Sequence, residues 1–80
     1  MIKPTLTPFL KELHEAGLDM VVINGLARRQ INTWPKLRDQ TPADIGDLRN
    51  MGPTRTALLY FSVRHTGRQF TSQAWSVFEP

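Results

Sequence analysis

The chain has 80 residues and carries 10 Lys and Arg against 7 Asp and Glu, a net charge of +3. That length makes a single small domain, residues 1–80, burying roughly 60% of the surface its unfolded chain exposes. Without a cysteine, it has neither disulfides nor a Cys-based zinc site to staple it.

Threonine followed by proline marks the helix starts, because the hydroxyl accepts a free backbone N–H and proline tolerates the first turn. Thr7-Pro8 opens a first helix over about 8–16, with Phe9, Leu10 and Leu13 as its apolar stripe and Gly17 at its end. In a second, over about 20–30, Ile23, Leu26 and Ala27 fall on one side and Val21, Asn24 and Arg28 on another. Thr33-Trp34-Pro35 opens a third, about 34–39, contributing Trp34 and Leu37. Thr41-Pro42 opens a fourth, about 42–49, where Asp44 makes a weaker form of the capping box and Ile45 and Leu48 turn inward. The last, about 53–66, contains "TALLYFSV" and is apolar around most of its girth, which predicts the central helix; Gly67 ends it. Phe70, Trp75 and Phe78 then fold back as a tail over the core, with "AWSVF" open to an extended conformation. The fold class is therefore all-α: a compact bundle of about five short helices joined by short links.

Catalytic and metal readings find little support. His14 and His65 lie far apart, and Asp44 and Asp47 read as a solvated acidic face. His14-Glu15 has no nucleophile nearby, and Ser62 sits inside an apolar helix. The expectation is no enzyme, no metal, no cofactor and no small-molecule ligand. No apolar run approaches the ~20 residues of a membrane span, and Met-Ile-Lys-Pro is no signal peptide. A soluble cytoplasmic protein is expected. A pI of about 10 permits nucleic acid as a partner without demanding it.

The stretch "INGLARRQINTWPKLRDQTPADIGDLRNMGPTRTALL", 23–59, resembles the C-terminal domain of the bacterial RNA polymerase alpha subunit, a helix-hairpin-helix fold. Asn24, Leu26, Ile31, Leu37, Thr41, Ile45, Asn50, Met51, Gly52 and Leu59 fall on that family's pattern without a gap. The resemblance implies binding of double-stranded DNA in the minor groove and contact with transcription regulators and sigma factor. Carried over position by position, it places Asn24, Gly52, Thr54 and Arg55 on the DNA surface. Val21 stands where the family has its groove-inserting arginine, Thr54 and Arg55 where it has Lys and Ser, and Leu58 where it has Glu.

The residues themselves add reasons and alternatives. Gly52 offers a positive φ or a close backbone approach ahead of a helix N-terminus, chemistry suited to phosphate; a plain interhelical turn is the alternative. Arg55 suits a phosphate or a narrow groove, or else is a solvated arginine. Arg28, two helical turns after Val21 on the same face, is placed to substitute for the missing arginine, or else is a solvated charge. Asn24 reads as a backbone or base-edge contact, or as a local cap. The expected DNA surface is thus Asn24, Arg28, Gly52, Thr54 and Arg55. A second reading is a protein-interaction module that mimics the alpha domain and binds RNA polymerase, sigma factor or a regulator without DNA, with Val21 and Leu58 as contacts.

Overall fold

Threonine hydroxyls cap two of the helix starts, and proline occupies the first turn of four. In the computed structural model, which describes residues 6–79, α1 is Pro8–Glu15, α2 Met20–Arg28, α3 Trp34–Arg38, α4 Pro42–Gly46 and α5 Pro53–His65. A 3-10 helix, Gln73–Phe78, closes the fold. Met-Ile-Lys-Pro and Pro80 lie outside the described residues. Thr7 accepts from the Leu10 N–H at 3.2 Å and donates to the Asn32 carbonyl at 2.6 Å, so this cap also ties α1 to the α2–α3 connection. Thr41 and Asp44 form a complete capping box, each bond 3.1 Å long. Thr33 opens α3 with no side-chain cap bond.

Left-handed residues follow several of the helix ends. Gly17 and Gly67 take φ +104 and +87 and stop α1 and α5 as predicted. Gln30 does the same for α2 at φ +61, a left-handed conformation that strains any residue with a Cβ. The fourth helix, expected over 42–49, stops at Gly46; residues 47–50 form a turn that finishes at Asn50, φ +64. Asparagine's short polar side chain makes it one of the few non-glycine residues at ease there.

α1 packs on α2, and α5 receives both α4 and the 3-10 helix. Leu10, Leu13, Ile23, Leu26, Ile45 and Leu59 meet in a core from which solvent is excluded. The central helix is packed on one side only. It buries Leu59, Tyr60 and Val63, yet Leu58 and Phe61 face outward, so its all-round apolar character is not all-round burial. Among the described residues, no helix is long and apolar enough to cross a membrane.

Residues 68–79 fold back as predicted, with the "AWSVF" stretch coiled rather than extended. Trp75 is their anchor: its ring stacks on Phe70 at 4.0 Å and on Tyr60 at 5.9 Å, and its Nε1 donates to the Gln40 carbonyl at 2.8 Å. The Tyr60 hydroxyl bonds to the Glu79 carboxylate. Arg68 lies over the rings of Phe9 and Trp34 at 5.1 and 5.9 Å and donates to Glu12 at 2.9 Å. Thr71 reaches α3, its N–H donating to the Arg38 carbonyl at 3.1 Å and its hydroxyl to Asp39 at 3.0 Å.

A domain of this size has only about 4–12 kcal/mol of stability in total. Trp75→Ala should cost about 3–5 kcal/mol, by the usual penalty for emptying a buried aromatic site. Urea unfolding measures this; a midpoint equal to that of the wild type would show that the tail does not stabilise the core.

The same tail confers acid sensitivity. The hydrogen bond from Arg68 holds the Glu12 carboxyl below its ordinary value, and those from Thr71 and Arg38 do the same for Asp39. Because both native values are lowered, their stabilisation is complete above the usual carboxylate range and fades as pH falls through the native values. Thermal unfolding of Glu12→Gln/Asp39→Asn should therefore lose part of the wild-type decline in melting temperature between neutral and strongly acidic pH. An unchanged pH profile would contradict it.

Candidate nucleic-acid interface

The left-handed turn at Asn50 decides what α2 faces. The chain after α4 comes close to α2 at Gly25, where a Cβ would stand 3.9 Å from the Arg49 carbonyl. A concavity of about 310 Å³ lies between the two segments. Val21, Asn24, Gly25, Arg28 and Arg29 line it from the helical side, and Arg49 and Asn50 from the turn. No acidic residue is part of the lining. Arg28, Arg29 and Arg49 are exposed, and none has an ion-pair partner among the described residues. Three guanidinium groups and two carboxamides around one hollow form a donor set suited to phosphate oxygens, although Arg29 also borders a neighbouring hollow that holds Asp44 and Asp47.

Arg55 holds this arrangement together without lining it. Its Nη1 donates to the Asn50 carbonyl at 2.9 Å, fixing the turn, and its Nε lies 4.0 Å from Asp19 Oδ2. Asp19 Oδ1 accepts from the Val21 N–H at 2.8 Å and caps α2. Arg55 thus touches both segments that carry the concavity. It stands half-exposed, with its donors already partly engaged.

Of the residues picked from sequence, Val21, Asn24 and Arg28 come together here. Gly52 and Thr54 do not join them. Gly52 lines a separate, largely apolar groove of about 430 Å³ with Pro42, Gly46, Met51, Pro53 and Phe78. Thr54 is exposed in the first turn of α5. Gly52 uses neither the positive φ nor the close approach that glycine allows: its backbone is extended, φ −136 and ψ −178, and a Cβ would meet nothing within 4 Å. The left-handed residue of the hairpin is Asn50, two positions earlier. Arg29, Arg49 and Asn50 join the candidate site although the sequence does not single them out as site residues. The only signal is the pair Arg49-Asn50 ahead of Met-Gly-Pro, because asparagine before a helix start is a candidate for a left-handed turn. No group of three His, Asp or Glu among the described residues is placed to hold a metal ion.

Comparison with known proteins gives no match for this chain among protein-family models, curated proteins or solved structures.

The geometry ranks two alanine variants. Asn50→Ala places a Cβ-bearing residue without asparagine's local hydrogen bonding at φ +64 and should cost about 1–2 kcal/mol. Gly52→Ala enters an extended and open position, so its cost should stay under about 1 kcal/mol, the difference between glycine and alanine as a helix cap. Chemical denaturation of the two variants checks the order; Gly52→Ala being the more damaging would contradict the turn geometry.

Proposed function

We propose that the protein binds double-stranded DNA through its phosphate backbone, using the concavity between α2 and the turn at Asn50. Supporting this reading is one observation above others: Arg28, Arg29 and Arg49, from two separated segments, surround one hollow with no carboxylate in its lining. Asn24 and Asn50 add neutral donors beside them. Backbone contacts of this kind supply affinity and register rather than sequence choice. Val21, 39% exposed, lies at the rim and can pack against a sugar but cannot donate a hydrogen bond. The resemblance of residues 23–59 to the polymerase alpha C-terminal domain extends the proposal to a role in transcription or its regulation, inside the cytoplasm. Arg55, assigned from sequence as a DNA contact, acts in this proposal mainly by holding the turn.

A second reading, a module that binds RNA polymerase, sigma factor or a regulator in place of the alpha domain, is favoured by the outward placement of two apolar side chains. Val21 is 39% and Leu58 47% exposed. Apolar groups left in solvent often mark a protein contact.

Titration of a labelled mixed-sequence duplex at two salt concentrations tests the DNA reading. Each phosphate neutralised contributes roughly −0.9 to the slope of log affinity against log salt. Arg28→Ala and Arg49→Ala should each weaken binding and make that slope shallower by about 1. Arg64→Ala, on α5 away from the concavity, should leave the affinity much closer to that of the wild type. Equal effects from all three would mean diffuse attraction rather than a site.

A further inference from the structure

We propose that Arg29 is shared between two hollows of opposite character, and that Asp47, with Asp44, restrains the affinity for DNA by drawing this guanidinium away from phosphate. The proposal rests on the DNA reading of the concavity and concerns the regulation of that same site. Arg29 lies where the two hollows adjoin. With Arg28 and Arg49 it lines the concavity at α2, which has no carboxylate. With Ile31, Gln40 and Leu48 it lines a second hollow, of about 340 Å³, that holds Asp44 and Asp47. Arg28 and Arg49 line the first of these two and not the second.

The local backbone explains how one residue borders both. Arg29 is the C-cap of α2; its N–H donates to the Leu26 carbonyl at 3.2 Å, and left-handed Gln30 follows. The Cα is thus fixed at a helix end, while the long, exposed side chain keeps the rotamer freedom to turn to either side. Neither Arg29 nor Asp47 has an ion-pair partner among the described residues, so the guanidinium is committed to neither hollow. Asp44 gives Oδ2 to the Thr41 N–H of the capping box. A third hollow beside Arg29 holds Asp39, but that carboxylate already accepts from Arg38 and Thr71. Asp44 and Asp47 are exposed, so their pull on Arg29 is that of a surface charge pair, enough to bias a flexible side chain and too weak to lock it. A phosphate entering the first hollow competes with them for the same guanidinium donors.

The test is a double-mutant cycle on Arg29 and Asp47, read as affinity for the labelled mixed-sequence duplex at fixed salt. Asp47→Asn should bind the duplex roughly twofold to fivefold more tightly, the range that a surface ion pair spans. Glu15→Gln, which removes the same charge from α1 outside both hollows, sets the gain from net charge alone. In an Arg29→Ala background, Asp47→Asn should gain no more than Glu15→Gln does. Without DNA, the Nε–Hε resonance of Arg29 should move on Asp47→Asn while those of Arg28 and Arg49 stay. Should Asp47→Asn lose helical signal, Asp44→Asn takes its place, because asparagine keeps an oxygen for the Thr41 N–H. Equal gains with and without Arg29, a gain no larger than that of Glu15→Gln, or an Arg29 resonance that does not respond would overturn the proposal and leave the DNA reading standing. Undiminished binding by both Arg28→Ala and Arg49→Ala would instead remove the DNA reading, and the proposal with it.

Discussion

The Arg55 guanidinium sits where the pieces of the candidate site meet. It donates to the carbonyl of Asn50, and it faces the carboxylate of Asp19, whose other oxygen caps α2. The first contact matters more. A half-exposed ion pair at 4.0 Å contributes little, whereas a guanidinium bond to a carbonyl helps hold a backbone conformation that costs energy to adopt. With Asn50 left-handed, Arg49 and Asn50 line the same hollow as α2, and the spacing of Asn24 and Arg28 along that helix brings them to the same place. The concavity therefore follows from one turn and one helix face.

Much of the fold was legible because its signals are local. The threonines before Pro8 and Pro42 cap their helices through their own hydroxyls, and all five predicted starts are helix starts in the structure. Glycine ends α1 and α5 for an equally local reason. Errors arose where a longer-range interaction chose between local options. Nothing in "DIGDLRN" says that the helix must stop at Gly46, since Leu48 continues the apolar period, yet Leu48 is buried from the turn. The contact that favours the turn comes from Arg55, five residues beyond Asn50. Gly52 was the conspicuous residue of the hairpin, but the demanding conformation fell on Asn50 instead.

The candidate site was half legible for the same reason. Val21, Asn24 and Arg28 share a face by helix periodicity, which a sequence displays directly. Arg49 and Asn50 enter through the turn, and Arg29 lines the hollow beside Arg28. Arg55 was correctly placed near the hairpin and differs in what its side chain does. The exposed side of α5 was hidden too. An apolar run such as "TALLYFSV" cannot say which of its sides the rest of the chain will cover, and here the cover leaves Leu58 and Phe61 in solvent. The protein thus presents two chemically different faces: a polar, positively charged hollow at α2 and an apolar ridge on α5.

The hollow between α2 and the Asn50 turn is the proposed place for phosphate. The direct measurement is a map of amide and side-chain shifts in isotope-labelled protein as a short duplex is added. The account predicts the largest changes at Asn24, Gly25, Arg28, Arg49 and Asn50, including the carboxamides of both asparagines, fading as salt is raised. Changes confined to Leu58 and Phe61 on α5, or spread evenly over every basic residue, would contradict it.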